Sequence, residues 1–474
     1  MLEPFGLTMH IKNGRPDVSI SSHLKHYKIQ NQQGESLGDL YGLILHTYHG
    51  KGLKIQEHII TITQPIKDMF EFEKNILSHL HGNFVIHTHT GLPERLYPDC
   101  GGSIPIVYCS DSQRLGSSAS MFLSEDEYQK RFARERHNAI IENEVSGSWI
   151  SGDLTAHHGI LRILPNFYLD LNSWQTHRFW PIADGFSLDL NLDVAVNDIA
   201  DSLRSFTKSV TTEYNTGITA TAGFDSRLLI AACKGLEEQC ELFTFGTESQ
   251  GIDQYLPALI SKQLGLSHRL VPVIESTKAQ KVEWDRLVSD VVREGTRDFY
   301  PTLKQLNYDI ILTGMYGETG RCRLYRQDFE TINEKPATAE FVLSRLTLPL
   351  HPDVVESVEK WLDPIISLPR SAILDLAFNE LRFGSWAMAQ APVQKSQKIA
   401  FMPFAQRNIQ DAFMRVQPTE QTTDRLFTMI GKKLWPEAMT YPINKYGDYR
   451  DYLSPLLKRL NKDSFIRFWR DRFA

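Results

Sequence analysis

The chain has 474 residues, 42% of them hydrophobic and 23% charged, with a formal net charge of −6. That length exceeds what one hydrophobic core usually serves, so two domains are expected. The negative balance argues against a broad electrostatic grip on nucleic acid, and no apolar run approaches the ~18 residues that would cross a bilayer. Five scattered cysteines (Cys100, Cys109, Cys233, Cys240, Cys322) form no C-x-x-C pair, which suggests neither a zinc knuckle nor a disulfide framework. Together with an amino terminus that lacks a basic-then-apolar leader, this gives the expectation of a cytoplasmic protein.

Short apolar stretches such as Phe84-Val85-Ile86 and Ile104-Pro105-Ile106-Val107-Tyr108 alternate with turn residues over the first ~180 positions, a β-rich pattern. Within it, Ser124 and Glu127 have capping-box spacing and predict a helix start. His87-Thr88-His89 puts two imidazoles on one face of a predicted strand, but the sequence offers no obvious cluster around them for a metal. Trp180 to Gly185 reads as a linker.

From about residue 190 the pattern changes. Val194, Val196, Ile199, Leu203 and Phe206 predict an amphipathic helix, after which strands and helices alternate. Strands are expected near Gly217–Thr221, Leu242–Phe245, His268–Val273 and Ile310–Thr313. Helices are expected over Ser226–Cys233, Asp253–Leu264 and from Trp284 to Val292. Such alternation implies a parallel sheet covered by helices. The chain from roughly 330 reads as helical. The basic, aromatic run Phe465 to Phe473 predicts a docked amphipathic helix.

The most informative segment is Ile218-Thr219-Ala220-Thr221-Ala222-Gly223-Phe224-Asp225-Ser226-Arg227. A strand ends in small residues, and an Asp-Ser pair opens a helix. Small residues allow close backbone approach to an anion, and amides at a helix start point toward it. Asp225 beside a phosphate calls for a bridging cation. An ordinary strand–turn–helix junction with Asp225 as the cap is the alternative.

This segment resembles the Ser-Gly-Gly-x-Asp-Ser pyrophosphate loop of asparagine synthetases and other ATP pyrophosphatases, with Thr221 for Ser and Ala222 for the first Gly. The stretch Leu312-Thr313-Gly314-Met315-Tyr316-Gly317-Glu318 is similar to that family's second glycine-rich loop, with Glu318 at its metal-binding Asp position. The Leu434 to Gly447 stretch resembles the segment that carries the family's lysine, here Lys445, with a plain surface lysine as the alternative. Glu294 matches in placement the acid that positions the attacking amine, with a solvated helix-end glutamate as the alternative.

The resemblance implies an N-terminal Ntn-hydrolase-like β-sandwich over 1–185, a degenerate glutamine-amidotransferase-like domain. It implies a C-terminal α/β ATP pyrophosphatase domain over 186–474, with a parallel sheet and a helical end. Thr221, Ala222, Gly223, Phe224, Asp225, Ser226, Phe245, Gly246 and Gly314 would contact ATP. Asp225 and Glu318 would hold Mg²⁺, while Lys445 and Glu294 would act on the acyl step. The family's glutaminase uses an amino-terminal cysteine, and residue 2 here is Leu. A cysteine-less pattern also marks β-lactam synthetases and lasso-peptide cyclases. The expectation is thus an AMP-forming amide ligase that joins a small-molecule or peptide carboxylate to an amine without hydrolysing glutamine. A tRNA-modifying pyrophosphatase and a non-catalytic scaffold with the same fold are the alternatives. No nucleic acid or membrane partner is expected, and oligomeric state is not legible.

Overall fold

The computed structural model describes residues 3–12, 14–47, 52–142, 148–246, 251–293, 297 and 299–451. Two largely antiparallel sheets occupy the amino-terminal part. One has five strands and the other eight. Period-2 alternation sets their packing. Leu7, Met9 and Ile106 of the smaller sheet meet Tyr41, Val85, Leu96 and Leu169 of the larger in one core. The opposite face of the larger sheet is covered by the helix Met69–Asn75 through Phe72. The opposite face of the smaller one packs with Tyr128 of the helix Glu125–Arg131. The layering is helix, sheet, sheet, helix. Ser124 caps the second of these helices in a complete capping box with Glu127, as its spacing predicts.

Toward the carboxyl terminus lies a five-stranded parallel sheet: β1 (Thr216–Thr219), β2 (Cys240–Phe245), β3 (Ser267–Val271), β4 (Ile310–Leu312) and β5 (Ile399–Phe401). Its order is β3-β2-β1-β4-β5, with every pairing parallel. The chain moves one way from β1 and the other way through β4, so strand order reverses between β1 and β4. That reversal opens a crevice at the carboxyl ends of the two strands, where open α/β sheets bind ligands. The fold is therefore mixed α/β with several sheets, one of them parallel.

Three expectations change. β5 lies inside the region expected to be all helical; three residues are too few to show alternation. The helix expected to reach Val292 spans Lys278–Leu287, because Ser289 and Asp290 adopt positive φ (55° and 57°) and turn the chain away. In the helix α1 (Leu192–Glu213), Val196, Ile199, Leu203 and Phe206 are buried as expected, but Val194 is 47% exposed. Ala195, Ala200 and Val210 complete the buried stripe instead. The run from Phe465 to Phe473 lies outside the described residues. Among the described residues, no helix is long and apolar enough to cross a membrane.

The amino-terminal sheets and the carboxyl-terminal part share buried polar contacts. Glu380 is fully buried, paired with Arg178 at 2.6 Å and accepting from Asn166 and Trp361. Lys395 Nζ donates to the Ser103 carbonyl at 2.9 Å.

Candidate functional site

The crevice is built first by the turn from β1 to α2 (Phe224–Ala232). Ala220 still belongs to the sheet: its amide donates to Phe243 O at 2.8 Å, and Thr244 Oγ1 donates to its carbonyl. Thr221 then leaves the sheet. No residue from Thr221 to Ser226 has positive φ, so Ala222 fits where the resembled loop has glycine. Gly223 is extended (φ −78°, ψ 169°), and a Cβ on it would meet nothing nearer than 3.7 Å. Its neighbours there would be Thr221 Oγ1 at 3.7 Å and Asn444 Oδ1 at 3.8 Å, in ordinary contact. Thr221 Oγ1 lies 2.9 Å from Ser226 Oγ, and no side chain caps the start of α2. Asp253, in the first turn of α3 (Ile252–Leu264), accepts from the Ala222 amide at 2.9 Å and fixes the turn from behind.

The second wall is the loop after β4. A Cβ on Gly314 would lie 2.9 Å from Asp225 Cβ, and one on Gly317 would lie 2.5 Å from Asp225 Oδ1. Both positions require glycine because the two loops touch at Asp225. Tyr316 has φ 71°, is fully buried and donates its hydroxyl to Gly101 O at 2.6 Å, anchoring the loop to the amino-terminal part.

Asp225 is the electrostatic centre. Its Oδ2 accepts from Arg321 at 2.8 Å, whereas its buried Oδ1 has no hydrogen-bond partner. Burial pushes its carboxyl up to about 6; Arg321 opposes that rise and the nearby Glu318 adds to it. Glu318 is one-third exposed, with Arg323 at 4.0 Å. A buried carboxylate oxygen without a donor, next to a second carboxylate, suits a divalent cation with oxygen ligands.

A third element closes over the turn. Arg227 is completely buried and donates to the carbonyls of Ala438 (3.1 Å), Tyr441 (2.9 Å) and Pro442 (3.4 Å). Desolvation lowers its guanidinium to about 10. The Asn444 amide then donates to Ala222 O at 3.1 Å. Lys445, the next residue, is exposed and makes no ion pair among the described residues. Sequence reasoning did not assign Arg227. The signal was a lone arginine followed by Leu228-Leu229-Ile230-Ala231-Ala232, a charge inside a buried run.

The remaining expected residues divide. Phe245 and Gly246 end β2 near α3: the Phe245 carbonyl accepts from Gln254, and Gly246 has φ 122°. The Phe224 ring does not face the crevice; it lies edge-on to Phe427 in the core, so only its backbone borders the site. Its apolar area accounts for that. Glu294 lies outside the described residues.

Beside Asp225 and Glu318 opens a cavity of ≈ 590 Å³ whose walls include Arg321, Arg323, Arg326, Arg345 and Arg382. Arg326 is paired with Asp424 and Arg345 with Asp328. Arg382 has no carboxylate partner among the described residues and lies against Trp149 and Trp386, 5.3 and 5.2 Å from the ring centroids. It sits on a π-helical segment, Ala377–Ala387, a geometry that recurs at functional sites.

No protein-family model matches the chain, and no curated protein matches it. Among solved structures the chain is similar to the glutamine phosphoribosylpyrophosphate (PRPP) amidotransferase from B. subtilis complexed with ADP and GMP. The identity is 10%, covering 67% of this chain and 71% of that one, with a TM-score of 0.20.

Proposed function

We propose that the protein is an ATP-dependent ligase that adenylates a substrate carboxylate and joins it to an amine. One observation carries this reading: the β1–α2 turn and the post-β4 loop meet at Asp225, in the crevice where strand order reverses, and leave one of its oxygens buried without a donor. The helix–sheet–sheet–helix layering suits the Ntn-hydrolase-like scaffold expected for the amino-terminal part.

In this reading the turn Thr221–Ser226 receives the phosphates, with Gly223, which carries no side chain, allowing close approach. Asp225 and Glu318 would hold Mg²⁺, which offsets polyphosphate charge. A carboxylate oxygen attacks the α-phosphorus, the bond to pyrophosphate breaks, and an acyl-adenylate forms. The amine then attacks the carbonyl carbon, loses a proton, and AMP departs. Lys445, held beside the turn by the Arg227-anchored segment, supplies positive charge at the reacting centre. Glu294 is proposed to orient the amine. The arginine-lined cavity favours an acidic substrate, with Arg382 available to its carboxylate.

Glutamine hydrolysis has no visible nucleophile among the cysteines. Cys109, Cys233, Cys240 and Cys322 are buried, and desolvation raises the part-buried Cys100 thiol, the opposite of an activated cysteine. The amine in this reading therefore comes from a substrate and not from glutamine.

The test is nucleotide product analysis with Mg-ATP and a small-molecule extract of the source cells. AMP and pyrophosphate should form with the natural chain and not with Asp225→Ala. Equal turnover by that variant would refute the assignment. The Arg321–Asp225 ion pair favours a second reading, a non-catalytic protein with an inherited fold, because it satisfies Asp225 in part without a metal. Failure to bind Mg-ATP at millimolar concentration would support that one.

A further inference from the structure

The His87-Thr88-His89 motif gains a cluster once the sheet forms. His87 lies on the strand Leu80–Thr88, directly opposite Asp39 on the strand Ser36–Thr47. His89 follows two residues later on the same face, its backbone amide tied to Leu37 O at 3.0 Å. One donor atom from each of Asp39, His87 and His89 lies within 4.8 Å of the other two. Glu94, just before the next strand, brings Oε1 to 3.4 Å from His87 Nε2.

Hydrogen bonding satisfies Asp39 and His89 but leaves His87 unsatisfied. His87 is 1% exposed, and neither of its ring nitrogens has a hydrogen-bond partner. Only the 3.4 Å contact with Glu94 offsets the desolvation cost of burying the imidazole. Asp39 accepts hydrogen bonds from His89 and His26, each at 2.6 Å, and His89 Nδ1 lies 2.9 Å from Thr90 Oγ1.

We propose that Asp39, His87 and His89 form a binding site for one zinc-type divalent transition-metal ion, with Glu94 recruited as the closing ligand. Two imidazoles and two carboxylates suit tetrahedral Zn²⁺ better than the hard cations, which prefer all-oxygen shells. Tetrahedral ligands at Zn²⁺ bond lengths lie roughly 3.3 Å apart, so the His89–Asp39 contact would open by about 0.7 Å. His26 would remain on Asp39 Oδ1 as a supporting donor. With Glu94 moved in from its place beside His87, protein side chains would fill all four positions, giving a structural site that clamps the end of a strand pair to the following turn. It is independent of the ligase reading.

The experiment uses the full chain after chelator treatment, titrated with Zn²⁺ by calorimetry and with Co²⁺ as a visible-absorption probe of tetrahedral geometry. One equivalent should bind, with a tetrahedral cobalt spectrum. His89→Gln and Asp39→Asn alter part-exposed residues, so their folding can be checked by circular dichroism. Each should weaken binding by more than the roughly 10–100-fold expected for His26→Gln, which removes only a supporting partner. His58→Gln, an exposed histidine outside the cluster, should bind as the natural chain does. Absence of stoichiometric binding, or equal binding by folded His89→Gln, Asp39→Asn and the natural chain, would overturn the proposal. So would an octahedral cobalt spectrum.

Discussion

Replacing Asp225 by asparagine should stabilise the protein increasingly as pH rises. The folded protein holds this carboxyl at about 6 against an ordinary 3.8, a difference worth about 3 kcal/mol. The sign follows from proton binding: between those values the folded state carries more protons than the unfolded chain, so stability falls as pH rises. The loss starts near the unfolded value and is complete above the folded one. Of it, roughly 1.4 kcal/mol falls between pH 5 and pH 8. Asparagine does not titrate, and any change in its contact with Arg321 is the same at both pH values. The stability of Asp225→Asn relative to the natural chain should therefore rise by about that amount across the range. Urea denaturation at pH 5 and pH 8, without divalent cations, measures it. A flat difference would refute the claim that the site holds a destabilised carboxylate. Such a carboxylate is what a cation site requires, because the metal regains what burial lost.

Three further outcomes are expected. Glu380→Gln leaves the buried Arg178 without its counter-charge and should destabilise the fold by about 3–5 kcal/mol in urea unfolding. Arg227→Met removes the donors to Ala438, Tyr441 and Pro442; limited proteolysis should then cut within 438–445 while the far-ultraviolet spectrum stays unchanged. Gly317→Ala places a methyl 2.5 Å from Asp225 Oδ1 and should weaken Mg-ATP binding more than tenfold, read by calorimetry, with unfolding shifted by less than about 2 kcal/mol.

Local chemistry was enough to locate the candidate phosphate turn. Strand, small residues and an Asp-Ser helix start are contiguous, and the backbone takes the form they predict. The capping box at Ser124 was legible for the same reason: each of its hydrogen bonds spans three residues. The β-rich first part and the parallel sheet after it were also readable, because periodicity changes between them. Boundaries set by tertiary context were not, as the end of the helix at Leu287 and the short β5 show.

What the tertiary structure alone decided is which distant residues meet. Asp225 and Gly317 are far apart in sequence, and only the reversal of strand order after β1 brings them into contact. Arg227 was visible as a charge in an apolar run, but its carbonyl partners more than 200 positions away were not. Asp39 has no sequence relation to His87-Thr88-His89; the register of two antiparallel strands sets it opposite. A single sequence encodes spacing along the chain, whereas these contacts depend on pairing register and crossover direction, fixed only when the sheets assemble around their cores.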